Sequence, residues 1–359
     1  DSASISLSAL TENLDDSLDL FAMVALEPTF PEEELERLQA QYLTAIQQEK
    51  SQPVSMALRI LPGLLYGEGH AYAQPLTGTG TEASIAALSR SDLVAWHDTW
   101  FRPNNATLVV VGDTSLAEIK PRLEKLFRDW DAADLPEINI APVQQTDNNA
   151  LYLIDKPGAQ QSIIFAGQLI VPLDNPDEIG VQTLNDILGG QFSSRVNMNL
   201  REEKHWSYGA RSLIMKTKSQ RPFIIYAPVQ TDKTSESVAE ILREVQEIRG
   251  DNPPTGEELN RVQTSRTLSL PGRWETSPAV LGAIEEIVNY DLPKDYWSTY
   301  ADRINALDLA ALTEVAGTTV DPDTLTWVVV GDRELIEDGL RELDIGEIRL
   351  IDTDGNLVE

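Results

Sequence analysis

One layout occurs twice in this chain, and that duplication limits its folds more than any other feature. Residues 87–113 read ALSRSDLVAWHDTWFRPNNATLVVVGD, and residues 306–332 read ALDLAALTEVAGTTVDPDTLTWVVVGD. Both have a helix-like stretch, a polar turn with proline (Pro103, Pro322) and an apolar strand ending Gly-Asp. The spacing is 306 minus 87, or 219. Upstream, EELERLQ at Glu33–Gln39 faces EELNRVQ at Glu257–Gln263 with a spacing of 224. Leu18, Phe21 and Ala25 face Val238, Ile241 and Val245 with a spacing of 220, and such small drifts are what loop insertions leave.

Two copies of one unit follow from this. The first covers residues 1–135, a linker covers 136–149, and the second covers 150–359. The first copy enters where the second has already reached about Arg221, so about 71 residues (221 minus 150) at its front have no counterpart. The opening DSASISLSAL has neither a basic stretch nor an apolar core. It does not read as a signal peptide, and the chain looks cut from something longer.

In the second copy, Leu151–Ile154, Ser162–Ala166, Ser207–Met215, Phe223–Val229 and Val328–Val330 read as strands. Residues 176–188 read as a helix stopped by Gly189 and Gly190, and Val196 and Leu200 mark a second helix capped by Ser193 or Ser194. Val238, Ile241, Leu242, Val245 and Ile248 form a helical stripe. Strands met in sequence and then helices predict α+β sheet-plus-helix sandwich units, the first of them truncated at its N-terminus. In both copies the Val-Val-Val-Gly-Asp segment is expected to be a buried strand.

Composition excludes several functions. The chain has no cysteine, so disulfides, cysteine zinc sites and thiol nucleophiles are ruled out. The net charge of −30, from 28 basic and 58 acidic side chains, argues against a nucleic-acid surface, which needs clustered Lys and Arg. Acidity of this size suits a solvated surface in a salt-adapted organism or a face for basic partners. No apolar run is long enough to span a membrane. His70, His97 and His205 each lack a second histidine three to five residues away, so no helix presents two imidazoles on one face. No Gly-x-Ser-x-Gly elbow or phosphate loop occurs.

The segment Gln191–Ser212 stands apart. Arg201 falls near a helix end and Tyr208 early in a strand, seven residues on. Together they could hold a peptide carbonyl or an oxyanion, or Arg201 could pair with a nearby glutamate while Tyr208 packs.

Four strings settle which of these to expect: PTFPEEELERLQAQYLTAIQQEKSQP, LLYGEGHAYAQPLTGT, WFRPNNATLVVVGD and NLREEKHWSYGARS. Through them the sequence resembles the pitrilysin, insulinase and mitochondrial-processing-peptidase family of zinc metallopeptidases, and specifically its C-terminal, non-catalytic half. The resemblance implies an internal duplication and a half-shell that closes a peptide chamber against a zinc-bearing half. It implies that Arg201 and Tyr208 bind substrate. It also places the family's distal zinc-ligand glutamate in Leu43-Thr44-Ala45-Ile46, where Ala45 has no donor atom and Glu49 stands one turn on. His-x-x-Glu-His is absent, so no catalytic residue and no metal ligand are expected in this chain, and zinc is expected in the partner half. His70 fits a structural turn of the family.

The expectation is therefore a peptidase-family half that holds peptide but is inactive alone. Its partners would be a zinc-bearing half and a peptide, and its location periplasmic or secreted. The alternative is a degenerate structural or assembly subunit with no substrate contact.

Overall fold

A computed structural model of the chain describes residues 2–144 and 150–358. The last part of the linker expected at 136–149 therefore lies outside the described residues. In chain order the helices are α1 (Leu14–Leu26), α2 (Glu32–Glu49), α3 (Pro53–Tyr66), α4 (Glu82–Ala87), α5 (Arg90–Trp100), α6 (Leu116–Leu126), α7 (Glu178–Asn185) and α8 (Arg195–Asn197). They continue as α9 (Thr234–Ile248), α10 (Gly256–Ser269), α11 (Ser277–Asn289), α12 (Tyr296–Ala306), α13 (Leu309–Thr319) and α14 (Arg333–Arg341). The strands are β1 (Ala150–Asp155), β2 (Gln161–Ile170), β3 (Arg211–Ile214), β4 (Arg221–Gln230), β5 (Thr326–Gly331) and β6 (Glu347–Ile351).

These elements form two compact units, neither continuous in sequence. One contains residues 1–44, 82–139 and 269–296, and the other residues 45–81, 140–268 and 297–359. Helix α3, from the front of the chain, thus belongs to the second unit. Its counterpart at the repeat spacing (277 minus 53, or 224) is α11, which belongs to the first.

The second unit is built on a six-stranded mixed sheet, ordered β3-β4-β2-β5-β1-β6. β5 runs parallel to β1 and antiparallel to β2, so both of its edges are paired. β-Branched and aromatic residues suit such a strand, and Trp327, Val328, Val329 and Val330 are fully buried. Side chains alternate between two apolar layers. Ile164, Ala166, Trp327 and Val329 join one core with Val181, Leu184, Val238, Ile241, Val245 and Val315 from α7, α9 and α13. Ile163, Phe165, Val328 and Val330 join another with Met56, Ile60 and Leu61 of α3. The α9 stripe read from sequence is thus core, with Val238, Ile241, Val245 and Ile248 all buried. α7 and α13 approach closely at Gly180, where a Cβ would lie 2.9 Å from Val315 Cγ2.

Among the described residues of this unit, one charged pair has both partners buried. Arg221, the first residue of β4, is fully enclosed and donates to both carboxylate oxygens of Glu178 in the first turn of α7. It also donates to the Val171 carbonyl at 2.9 Å. Asn175 Nδ2 and Gln182 Nε2 donate to the same carboxylate, each at 2.9 Å. The remaining lone pairs are therefore satisfied, which a buried ion pair requires if it is not to destabilise.

The first unit is helical: α1, most of α2, and α4, α5, α6 and α11. α5 opens with a capping box between Ser89 and Asp92, and α6 with one between Ser115 and Glu118. Here one expectation fails. Thr107–Gly112, expected as a buried strand, has no ladder partner among the described residues. Leu108 and Val110 are each 45% exposed. β-Propensity alone does not make a strand, because the backbone donors and acceptors need a neighbour.

Removing one member of the buried pair strands the other. Arg221→Met is expected to cost about 3–5 kcal/mol in urea denaturation, whereas an exposed control such as Arg37→Met should cost less than about 0.5 kcal/mol.

Candidate functional site

The Arg201–Tyr208 segment begins where α8 widens into a π turn, Met198–Glu203, and Arg201 sits on that turn. Such local widenings recur at functional sites because they break the regular spacing of side chains. After it the chain reverses at His205, whose φ of 58° is unusual for a residue with a side chain. The reversal is held by one acceptor. The Leu200 carbonyl receives the N–H of Trp206 at 2.9 Å and that of Ser207 at 3.2 Å. The backbone beside Arg201 is thereby fastened to the backbone beside Tyr208.

Tyr208 is then pushed outward by a bulge. Ser207 pairs with Val229, and Arg211 pairs with Tyr226. Between them lie Tyr208, Gly209 and Ala210 on one strand, but only Ala227 and Pro228 on the other. An extra residue of this kind redirects side chains. Pro228 lacks an N–H, and its carbonyl accepts from the Ser207 hydroxyl at 2.6 Å, while Gly209 N–H donates to the same hydroxyl oxygen at 3.0 Å. Tyr208 emerges 88% exposed.

Asn197, which is buried, ties three segments together. Its Nδ2 donates to the Phe192 carbonyl at 2.6 Å, and its Oδ1 accepts from Ala210 N–H at 3.0 Å. Phe192 is thus held where the Arg201 guanidinium carbon stands 4.7 Å from its ring centroid. That contact pre-orders a long side chain at modest cost. Arg201 also lies 3.3 Å from the Glu202 carboxylate, a half-exposed pair of little energetic weight. Neither Asn197 nor Ser207 was identified from sequence. The signal for the bulge was present, since a proline inside a strand paired on both edges is found at bulges.

Close packing fixes the entry to this site. A Cβ on Gly189 would lie 2.4 Å from the Ser212 backbone nitrogen, so only glycine lets that turn reach β3. Gly189 and Gly190 end a second π turn, Asp186–Gly190. The Arg266 guanidinium grips Asp186 of that turn through both carboxylate oxygens, at 2.6 and 2.8 Å.

The positions relevant to zinc do not form a site. Ala45 lies on α2 and brings no donor. Glu49 is already engaged, accepting from Arg59 Nη1 at 2.7 Å and from the Thr79 hydroxyl at 2.7 Å. His70 uses both ring nitrogens in its turn: Nδ1 accepts from Tyr72 N–H at 3.0 Å and Nε2 donates to the Ala141 carbonyl at 2.9 Å, with the ring stacked on Tyr66. His97 Nε2 donates to the Ala25 carbonyl and His205 Nδ1 to that of Arg201. Among the described residues no three His, Asp or Glu side chains converge. These residues do not fit zinc, and no chemical step is assigned to a metal on this chain.

Comparison with known proteins gives a consistent result. The sequence family described as the peptidase M16 inactive domain matches residues 87–266. A Bacillus subtilis protein named uncharacterized zinc protease YmxG is 24% identical over 236 residues, which are 65% of this chain and 56% of that protein. The chain thus spans little more than half of that relative's length. The non-peptidase homolog YmxG of Helicobacter pylori is 21% identical over 333 residues, 92% of this chain and 75% of that protein. The crystal structure of a peptidase M16 inactive domain from Pseudomonas fluorescens superposes with a TM-score of 0.81 at 22% identity, covering 89% of this chain and 75% of that one.

The Glu49 contacts have a pH signature. Burial raises its pKa, but hydrogen bonds from Thr79, Arg59 and Thr77 outweigh burial and hold the carboxyl below the usual glutamate range. A carboxyl depressed on folding stabilises above its unfolded pKa, and loses that contribution as pH falls through the folded value. Glu49→Gln is therefore expected to cost about 1–2 kcal/mol at pH 7, and progressively less as pH falls below the usual glutamate range, read from urea midpoints across that range.

Proposed function

We propose that this chain, which belongs to the family of the peptidase M16 inactive domain, is the non-catalytic half of a zinc-peptidase assembly and holds the peptide substrate through Arg201 and Tyr208. The reading rests on one arrangement. A π turn that carries Arg201 and a β-bulge that carries Tyr208 are fastened to each other through the Leu200 carbonyl. The guanidinium and the phenol are donors of fixed chemistry, N–H and O–H, and neither can supply a nucleophile here. Donors of this kind hold a peptide carbonyl in the ground state and bind more tightly when that oxygen gains negative charge. A single such donor contributes about 3–4 kcal/mol in well-aligned sites.

The attacking group then comes from a zinc-bearing partner half that closes over this one. The support is twofold: Ala45 and the engaged Glu49 leave no place for the metal here, and the Bacillus relative that the chain matches over part of its length is called a zinc protease. A periplasmic or secreted location belongs to the same proposal. It draws support from the absence of cysteine and the strong acidity.

A second reading, an assembly subunit without substrate contact, is favoured by the Helicobacter relative, which is called a non-peptidase homolog. The exposed, pre-ordered Arg201–Phe192 contact and the outward Tyr208 favour the first. A purely structural role gains nothing from a tyrosine left in solvent.

The two readings separate in the complete assembly. Arg201→Ala and Tyr208→Phe are each expected to lower kcat/KM for a peptide by about 100- to 1,000-fold, with zinc content and melting temperature unchanged. Unaltered turnover in both variants leaves the structural reading.

A further inference from the structure

The charge of the chain is uneven at one place. Residues 204–231 contain no Asp or Glu, the longest such run in a sequence with 58 acidic residues. The run spans 28 residues (231 minus 204, plus one) and carries Lys204, Arg211, Lys216, Lys218 and Arg221. Arg221 is buried against Glu178 and adds nothing to the surface. Lys204 lies 3.4 Å from Glu240 of α9. Arg211, Lys216 and Lys218 are exposed, on β3 and in the turn that follows it. The β3 edge is thus a basic margin on an acidic protein, and it begins three residues after Tyr208.

Arg211 differs from the other exposed arginines of its unit. Arg201, Arg243, Arg249, Arg333 and Arg349 each have a carboxylate within 4 Å. Among the described residues Arg211 has none, although 58 acidic groups face 28 basic ones. Its guanidinium carbon instead stands 5.4 Å from the ring centroid of Tyr226, its partner across the strands. The ring orders the side chain without neutralising it, since burial raises the Tyr226 pKa and keeps the phenol uncharged. A guanidinium held in this way can receive a carboxylate through two parallel N–H donors.

The bulge puts Arg211 on the same face as Tyr208. Cross-strand partners share a face. Ser207 pairs with Val229, which belongs to the core under α9, whereas Arg211 pairs with Tyr226, which packs on the core under α3. In a regular strand residues 207 and 211 would share a face, and 208 and 211 would not. The extra residue reverses this: Tyr208, next to Ser207, leaves on the α3 side, as Arg211 does. About 10 Å of extended chain separates the two.

We propose that Arg211 determines specificity by receiving the carboxylate of an Asp or Glu side chain, about three residues along the peptide from the carbonyl that Tyr208 holds. The inference rests on the Arg201–Tyr208 reading and gives its substrate class, an acidic peptide. Lys216 and Lys218 add attraction along the same edge. At physiological ionic strength charges more than about 8 Å away are screened, so a peptide here meets these cations rather than the net charge of −30.

The test is peptide binding to chain 1–359, read by fluorescence anisotropy with an uncharged label. One end-blocked, otherwise uncharged peptide carries a single glutamate moved position by position, each compared with glutamine. At low salt glutamate is expected to bind about three- to tenfold more tightly at one position, with the difference shrinking as salt is added. Arg211→Gln is expected to erase the difference. Arg211→Glu is expected to reverse it in favour of lysine at that position, which mere loss of packing on Tyr226 does not produce. Arg201→Ala is expected to weaken the glutamate and glutamine peptides equally. If it leaves both unchanged while the Arg211 preference persists, the Arg201 reading fails and the carboxylate site stands. Glutamate and glutamine binding alike at every position overturns the proposal, as does a preference that survives Arg211→Gln. A preference seen only with a free C-terminus overturns the choice of a side-chain carboxylate, and no binding of any peptide overturns both readings.

Discussion

Everything in the second unit depends on β5 having both edges occupied. A run of tryptophan and valines can be wholly buried only if each backbone N–H and C=O it takes out of water finds a partner. β1 supplies these on one side and β2 on the other. With the strand satisfied, its two faces become available to two apolar layers, one under α7, α9 and α13 and one under α3. The sheet extends from β2 outward to β4 and β3, and the candidate site lies beside that β3 edge.

The site itself is held mainly by polar contacts. A carbonyl shared by two N–H groups, a buried asparagine spanning Phe192 and Ala210, and a serine hydroxyl beside a proline in the strand define its shape. Each contributes about a kilocalorie net, but each is costly to leave unsatisfied. The cost of deforming the segment therefore exceeds the sum of its contacts. That suits a surface meant to meet a ligand without first ordering itself.

Much of this was legible in the sequence. Apolar periodicity located the α9 stripe and the interior strands of the second unit. What could not be read were features decided between segments. The spacing of Arg201 and Tyr208 was visible, but the extra residue at 208–210 that turns Tyr208 outward arises from register with β4. The importance of Asn197 lay in contacts with Phe192 and Ala210, invisible to any local pattern. The same limit produced the one failed strand: Leu108–Val111 has all the propensity of Trp327–Val330, and propensity says nothing about whether a neighbour is there. The allocation of α3 to the second unit and α11 to the first was likewise hidden, because no residue marks which core a helix will join.

That reciprocal allocation has a historical consequence. When two tandem copies of a module each hand a helix to the other's core, the ancestral one-copy protein is no longer contained in the sequence as a contiguous stretch. Deleting either copy would remove a structural part of the survivor. A single cut of the chain between residues 135 and 150 therefore cannot separate the units, because it takes α3 away from the sheet it packs on.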